Sequence, residues 1–426
     1  MSYAERTVSL TVSGAPSWWT DPTFADRTWR KVAMGASGPA AYQRGARVVD
    51  VWAGPTLTTG SAADIDGQRP NVYSYSGGCV DQTRGEFWIH GGGHTAYPGN
   101  EPYVCALRQD VPAWRAACLP SSGSATTGSA YAGKNGAGQY DADYGRNGAP
   151  QSSHTYHRLV WANDRMWLPG LAGMQVGSGG VNYSTSKVFW FDRLSAAWQT
   201  GQYLATAAQG AAYNAGFFEE SSCVYIPQDD VIWVSVGSGG VNAPALWKLD
   251  ARTGATLAVY TDAVTDGWWQ TGATLIAGTR YILCRGNVNS TWGLHIFDAA
   301  NPTATRRPVN LTVSGVSGSS NWATNQWGAV WHAASNSLLV GSGQSENFVK
   351  ITPNSPTAYT GAWTATTVTP SNTADSSRVI PDGDSVYAYG RWNLVNDMGN
   401  GQSAIVFHPA GPSKPVYVYK LPAGEL

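Results

Sequence analysis

The chain has 426 residues, a formal net charge of −1 and charged side chains at only 13% of its positions. With no basic run and no acidic tail, it offers nothing that favours a nucleic-acid partner or an anionic membrane surface. Glycine (50), tryptophan (20) and tyrosine (21) are abundant, which is typical of many short strands joined by tight turns. Most of these aromatics are expected in the core, but an uncharged, aromatic surface also suits carbohydrate, since aromatic faces pack on sugar rings.

The N-terminal region, residues 1–45, is predicted to be an arm that precedes the main domain. Its first residues, MSYAERTVSL, lack a basic segment followed by an apolar one, so no secretory signal is expected. No apolar run is long enough to span a bilayer. Trp18 and Trp19 form an aromatic pair that could dock onto a neighbouring protein. RTWRKVA (28–34) and RVVDVWAG (47–54) have strand character and would either close a ring or form a degenerate seventh blade.

Six segments of the chain share one order of elements. An apolar strand precedes a strand that ends in glycine, a loop follows, and a third strand ends near Asp or Pro before a fourth strand. The third segment, for example, reads DDVIWVSVGSGGVNAPALWKLDARTGATLAVYT. The glycine centres lie near residues 92, 179, 239, 286, 342 and 390, and most spacings are about 47–60 residues, as in propeller blades. We therefore predict an all-β propeller of four-stranded blades over residues 46–426, with six blades favoured and seven possible.

The repeated pattern, strand–Gly-Gly–loop–(V/L)(F/W)x(F/L)D–turn–Trp, resembles the kelch-type repeat of the galactose-oxidase-like propeller superfamily. The resemblance covers roughly residues 70–422. The string GGGHTAYPGNEPYVCAL, with SHTY downstream, is also similar to kelch-like proteins of bacteriophages and prophages. That similarity implies a virion or tail-associated protein. Residues 121–150 are rich in Gly, Ala and Ser and predict a long loop, which in a compact domain is usually functional or mobile.

Two histidine-bearing segments are expected to meet on one face of the propeller. If the strands of a blade are labelled a to d from the axis outward, the b–c loop and the connection to the next blade emerge on the same face. His90 ends strand b of the first blade, and His94 lies in its b–c loop. SHTYHR (153–158) begins the second blade. The residues expected beside them, near the axis between the two blades, are His154, His157, Tyr97, Tyr156 and Arg158.

Three interpretations of this cluster stay open. His90 and His154 could be structural and bind loop backbone beside glycines that allow close approach. His90, His94 and His154 could hold zinc, although no Cys pair or EXXH helix supports a metal. In the third, these histidines, Tyr156 and Arg158 are catalytic, with His or Tyr moving protons while Arg neutralises the carboxylate in β-elimination from a uronic acid.

The copper chemistry of galactose oxidase is not expected. That chemistry uses two histidines and two tyrosines, one of them cross-linked to a cysteine, and no cysteine is expected beside a tyrosine on this face. Cys79 falls in strand a of the first blade. The five cysteines show no CxxC spacing, and Cys105 and Cys118 are expected to be reduced although they fall in neighbouring strands. We predict no cofactor.

Four further tryptophans are candidate ligand-binding residues, together with Tyr97 and His157. Trp268 and Trp269 open the fourth blade, while Trp322 and Trp327 open the fifth. All four are expected near the axis or the rim of the loop-bearing face. They would either pack between blades or form a platform for a sugar.

We expect a non-enzymatic, virion- or tail-associated phage protein that binds a cell-surface glycan or another virion protein through this top face. The absent signal, the uncharged aromatic surface and the phage resemblance favour this function, a location in the virion, and no insertion into a membrane. The alternative is a polysaccharide lyase or depolymerase that uses the His/Tyr/Arg site on the same face.

Overall fold

The computed structural model describes the chain in sixteen segments, and each structural statement below refers to them. They are residues 14–32, 76–91, 101–112, 114–118, 150, 153–176, 181–204, 222–236, 245–260, 272–288, 291–302, 309–315, 327–342, 345–371, 388–408 and 416–423. Within these segments the chain folds into six β-sheets that serve as the blades of a propeller. None of the helices there is long and apolar enough to cross a membrane.

The strands follow the chain from an N-terminal helix to the last blade. After α1 (Ser17–Thr20), β1 (Trp29–Val32) belongs to the sixth blade. The first blade comprises β2 (Gly77–Asp81), β3 (Glu86–His90), β4 (Tyr103–Ala106) and β5 (Trp114–Ala116). The second comprises β6 (Val160–Ala162), β7 (Arg165–Val176), β8 (Val181–Asp192) and β9 (Ala197–Tyr203). The third comprises β10 (Cys223–Ile226), β11 (Val231–Val236), β12 (Ala245–Asp250) and β13 (Thr256–Tyr260).

The remaining three blades depart from a strict four-strand repeat at one point. The fourth comprises β14 (Ala273–Leu275), β15 (Tyr281–Val288), β16 (Thr291–Asp298) and β17 (Val309–Asn310). The fifth comprises β19 (Gly328–His332), β20 (Ser337–Gly341), β21 (Phe348–Pro353) and β22 (Trp363–Val368), and β18 (Val313–Ser314) adds a fifth, parallel strand outside β22. The sixth comprises β23 (Trp392–Val395), β24 (Ala404–Phe407), β25 (Val416–Lys420) and β1, and a 3-10 turn (Tyr389–Arg391) precedes β23.

The inner strands surround one axis. Strands β2, β6, β10, β14, β19 and β23 contact one another in that order, and β23 returns to β2. The predicted all-β propeller with six blades is therefore confirmed. Hydrophobic clusters fill the spaces between neighbouring blades, as where Trp167 of the second blade packs with Trp247 of the third. Both indoles are buried and donate to main-chain carbonyls, which satisfies their polar atoms inside the core.

The two ends of the chain close the ring in one sheet. Strand β1 pairs antiparallel with β25, with Trp29 opposite Tyr419 and Val32 opposite Val416. RTWRKVA therefore supplies a ring-closing strand, whereas RVVDVWAG (47–54) lies outside the described residues. The predicted strand assignment of the last blade is wrong, because the glycine centre near residue 390 was expected to end the second strand, whereas Gly390 precedes β23, the inner strand. The N-terminal strand supplies the outer position, so three C-terminal strands complete the sheet.

The N-terminal aromatic pair packs on the propeller of its own chain rather than projecting toward a neighbour. Trp19 is fully buried in a cluster with residues of the first and sixth blades, and the Trp18 indole donates to the Gln109 carbonyl at 3.0 Å. Helix α1 therefore covers the junction between the first and last blades. The five cysteines form no disulfide, as the sequence predicted; Cys118 is half-buried and the others are buried.

The two faces of the disc differ in their connections. One face, the short-turn face, carries the six a–b turns, at residues 82–85, 163–164, 227–230, 276–280, 333–336 and 396–403. The other, the long-loop face, carries the connections from one blade to the next. The longest of these join the strands across residues 33–76, 117–159, 204–222 and 369–391. The segment SHTYHR approaches the axis from the long-loop face.

Candidate functional site

Residues 153–158 lie across the long-loop end of the propeller axis. Three acceptors of this segment receive N–H groups at the starts of inner strands. The Gly77 N–H of the first blade donates to Thr155 Oγ1 at 2.6 Å, and the Cys223 N–H of the third blade donates to the His157 carbonyl at 3.2 Å. The Gly390 N–H beside the sixth blade donates to the Tyr156 carbonyl at 3.1 Å. This segment, here called the axial cap, therefore ties together blades that are not neighbours in sequence.

Two glycines make this crossing possible. A Cβ atom on Gly77 would lie 2.1 Å from the Tyr156 carbonyl oxygen, and one on Gly390 would lie 2.2 Å from it. Such distances exclude any side chain unless the backbone moves. Tyr156 itself has φ of 34°, a left-handed conformation that is strained for a bulky residue and that the surrounding hydrogen bonds hold in place.

His90 lies beneath the axial cap at the end of β3. Its carbonyl accepts the Thr155 hydroxyl at 2.5 Å, and its imidazole packs edge-on against Trp198, with ring centroids 5.0 Å apart. The ring is fully buried, and this burial lowers the pKa of His90 to about 4, assisted by the nearby positive charge of Arg158. His90 is therefore a neutral imidazole near pH 7.

His154 and Tyr156 form a pair within the axial cap. The Tyr156 hydroxyl lies 3.0 Å from Nδ1 of His154, and the two rings meet edge to face. His154 is buried, whereas Tyr156 is half-buried. The pair has the donor–acceptor chemistry of a proton relay, and of the two only the tyrosine is more than marginally accessible.

Two buried arginines occupy equivalent positions at the starts of inner strands. The Arg158 N–H donates to the Thr155 carbonyl at 2.7 Å, and its guanidinium donates to the Gly170 carbonyl at 3.0 Å. Arg391 donates from Nε to the His408 carbonyl at 2.9 Å and from Nη1 to Ser76 Oγ at 3.0 Å. Both are fully buried, so each fastens main-chain groups at the long-loop end of a blade.

Sequence reasoning missed Arg391 and a buried carboxylate, Glu101. Arg391 had a readable signal, since Tyr-x-Arg precedes an inner strand both in YHR (156–158) and in YGR (389–391). Glu101 is fully buried, and its Oε1 accepts the Tyr103 hydroxyl at 2.6 Å. Its charge adds to the burial that raises the pKa of Cys118 to about 12. A single carboxylate between the uncharged segments of PGNEPYV was the only sequence sign of it.

The structure brings four of the predicted site residues together: His90, His154, Tyr156 and Arg158. His157 lies further across the axis, where a Cβ on Gly272 of the fourth blade would be 2.9 Å from its Nδ1. Trp327 is half-buried, packs against the core between the fourth and fifth blades, and offers its carbonyl to Arg285 at 2.5 Å. The predicted residues outside the described segments are His94, Tyr97, Trp268, Trp269 and Trp322.

The chemistry open to this cluster is limited by burial. A lyase arginine must meet a substrate carboxylate, and Arg158 exposes none of its surface. The Thr155 hydroxyl binds backbone on both sides, since it accepts from the Gly77 N–H and donates to the His90 carbonyl. Among the described residues, no three His, Cys, Asp or Glu side chains form a group that could hold a metal ion. The role of each side chain stays a prediction.

Comparisons with known proteins identify no family for this chain. No family model matches it, and no curated protein matches it. Solved structures with a similar arrangement include the allergen Mala s 1 of Malassezia sympodialis, with 11% identity, a TM-score of 0.43 and coverage of 82% of this chain and 92% of that one. YjhT gives 11% identity, a TM-score of 0.38 and coverage of 81% and 93%. The Dos1 propeller has 12% identity and a TM-score of 0.36, with coverage of 82% of this chain and 68% of that one.

Proposed function

We propose that this chain is a non-catalytic binding module of a phage particle and that its long-loop face binds a cell-surface glycan. One observation carries the proposal. The longest connections between strands leave and re-enter the propeller on one face, while the opposite face has short turns fastened by ion pairs. Binding residues are found disproportionately on loops that a rigid scaffold positions.

The sequences of these connections support a binding role. Three connections on this face carry aromatic residues among small and polar ones, and their charged residues are two Asp and two Glu: ATAAQGAAYNAGFFEES (205–221), TDAVTDGWWQT (261–271) and VSGSSNWATNQ (316–326). The same mixture gives antibody loops rigid aromatic contacts and adaptable hydrogen bonding. Aromatic residues with few charges suit the apolar faces and hydroxyl groups of a neutral sugar.

The buried polar groups beneath this face support a role without catalysis. His90 is held neutral and inaccessible, and Arg158 is directed at a main-chain carbonyl. They stabilise the base from which the loops extend. The phage setting rests on the resemblance of GGGHTAYPGNEPYVCAL to phage-encoded kelch-like proteins, which also makes other virion or tail proteins candidate neighbours.

A panel of bacterial surface polysaccharides tests the proposal. We expect saturable binding of the full-length protein to at least one polysaccharide, with no change in the polymer. The double substitution Trp268→Ala/Trp269→Ala should weaken binding, because these indoles are predicted on the long-loop face. Leu194→Ala is the matched control, because Leu194 lies on the short-turn face with 74% of its surface exposed.

Two outcomes would overturn the proposal. If polyuronates release an unsaturated product that absorbs ultraviolet light, and His154→Ala abolishes this with the fold intact, the chain is a lyase. If no polysaccharide binds but a virion protein is retained by the wild type and not by the double variant, the face binds protein instead of glycan.

A further inference from the structure

The axis of the propeller contains a cavity that the proposed function does not use. Its volume is about 570 Å³, within the range of about 300–1000 Å³ common for small-molecule sites. All six inner strands line it. It reaches the short-turn face, where the following residues surround its end: Gln82, Ala277, Ala333, Ala334, Asn396 and Ser403.

The axial cap lies across the other end of this cavity. Thr155, Tyr156 and His157 accept N–H groups from the starts of three inner strands, and the Tyr156 carbonyl packs against both Gly77 and Gly390. His157 is among the lining residues at this end. The cavity is therefore entered from the short-turn face, opposite the surface proposed to bind a large glycan.

The walls of the cavity contain no carboxylate, ammonium or guanidinium group, since none of the described residues that line it is Asp, Glu, Lys or Arg. His332 is 2% exposed, and its burial, assisted by the charge of Lys350, keeps its imidazole neutral near pH 7. A charged ligand would lose its hydration here without meeting a counter-ion, which is strongly unfavourable. The ligand must therefore be neutral.

The walls are nevertheless polar as well as aromatic. An inner strand pairs on one side only, so the peptide groups along its other edge point toward the axis. Near the entrance, Gln82 already pairs with the Leu394 carbonyl at 2.7 Å and the Asn396 N–H at 2.9 Å. Between this pair and the axial cap, the remaining peptide groups need a partner with several donors and acceptors.

Thr274 adds a hydroxyl, and Asn393 adds an amide whose Nδ2 also donates to the Gly390 carbonyl at 2.6 Å. The half-buried Trp161 and Tyr225 add most of the aromatic surface, and Trp331, 7% exposed, adds little. A purely apolar ligand would leave the peptide edges unpaired.

We infer that this axial cavity is a second binding site, entered from the short-turn face, for a short neutral sugar such as a mono- or disaccharide. Hydroxyl groups match the peptide edges, Thr274 and Asn393, and the apolar faces of sugar rings match the indoles. The site is separate from the long-loop face and does not depend on the function proposed for it.

Isothermal titration of the full-length protein with glucose, N-acetylglucosamine, maltose, lactose and glucuronate tests the inference. We expect saturable binding of at least one neutral sugar and none of glucuronate. Ala334→Trp should weaken that binding at least about tenfold by narrowing the entrance, a change of about 1.4 kcal/mol. Ala300→Trp is the matched control, because Ala300 is an exposed turn residue on the same face that does not line the cavity.

A second variant, Thr274→Val, removes a hydroxyl at nearly constant shape and should also weaken binding. Trp268→Ala/Trp269→Ala, at positions predicted to lie on the opposite face, should leave it unchanged. Heat-unfolding midpoints identify any variant that fails to fold. The inference is wrong if no neutral sugar binds, which would mean a channel that holds only water, or if glucuronate binds as tightly as the neutral sugars. It is also wrong if Ala300→Trp weakens binding as much as Ala334→Trp.

Discussion

The two faces of this propeller join neighbouring blades by different physical means. On the short-turn face, half-exposed ion pairs cross the junctions, as between Arg84 and Asp164 at 2.6 Å and between Arg280 and Asp229 at 2.5 Å. On the long-loop face, the buried Arg391 of the sixth blade donates to Ser76 Oγ beside the first blade, and the axial cap accepts N–H groups from the first, third and sixth blades. The difference shows how a ring can keep a fixed frame beneath one face while the loops above that frame differ in length and sequence.

Removing a buried arginine should have the largest effect. We expect Arg391→Met to lower the free energy of unfolding by about 2–4 kcal/mol, because the Ser76 hydroxyl and the His408 carbonyl lose their partner inside the protein. Arg252→Met, at an ion pair whose arginine side chain is 76% exposed, should cause no measurable change. Urea unfolding compares the two. Equal decreases in the free energy of unfolding would mean that the buried arginine of the long-loop face contributes no more to stability than the exposed ion pair of the short-turn face.

Acid should lower the free energy of unfolding through two buried histidines, one near each face. His90 beneath the axial cap and His332 on the short-turn side both have a pKa lowered to about 4, chiefly by burial. An unfolded histidine titrates near 6.5, so between about pH 6.5 and 4 the unfolded chain binds protons that the folded chain does not. The free energy of unfolding should therefore fall as pH falls through this window, by roughly 3 kcal/mol at most for His90.

Urea unfolding at about pH 7 and about pH 4.5 measures this loss. His90→Asn and His332→Asn should each reduce it, and the double variant should reduce it most. An unchanged pH dependence in both single variants would show that other groups cause the acid sensitivity.

Adding a methyl group at Gly390, which packs against the axial cap, should lower the stability of the fold by an intermediate amount. Gly390→Ala places a Cβ against the Tyr156 carbonyl, and we expect about 1–3 kcal/mol of destabilisation from the forced backbone shift. Gly293→Ala is the matched control, because its nearest neighbour would lie 3.9 Å away. Thermal unfolding monitored by circular dichroism compares them. Equal stability of the two variants would show that the axial cap can shift to accommodate the methyl group without loss of stability.

How far the sequence could predict this molecule depends on the range of the interactions. Local patterns sufficed for the inner and middle strands of five blades, since apolar runs punctuated by glycine, aspartate or proline mark them, as β12 ends at Asp250 and β21 at Pro353. The last blade was misassigned because its outer strand, Trp29–Val32, comes from the far end of the chain. His90 and SHTYHR were expected to meet, and they do, because the topology of a propeller alone requires it.

The roles within that cluster could not be read from sequence. Whether Arg158 faces a ligand or the Gly170 carbonyl depends on distances of a few ångströms within the second blade. The same holds for Gly77 and Gly390, whose close approach to Tyr156 follows from packing around the axis. Neither contact can be predicted from the spacing of these residues along the chain.

The smallest effect should come from salt. Arg252 and Arg280 are paired near solvent with Asp230 and Asp229, so raising the salt concentration should screen these pairs. The double variant Arg252→Gln/Arg280→Gln should show a weaker salt dependence of the unfolding midpoint than the wild type, while Arg391→Met should keep the wild-type dependence. A salt dependence lost in Arg391→Met instead would reverse the assignment of the two faces.

Oriented immobilisation tests most directly whether the long-loop face is the binding surface. Biotin attached at Leu194→Cys holds the protein by its short-turn face, and biotin at Asn347→Cys holds it by its long-loop face; both positions are exposed. Cys118→Ser in both variants removes the half-buried native thiol. We predict that a polysaccharide selected from the panel binds the protein held at position 194 and not the protein held at 347. Binding only to the protein held at 347 would contradict the proposal.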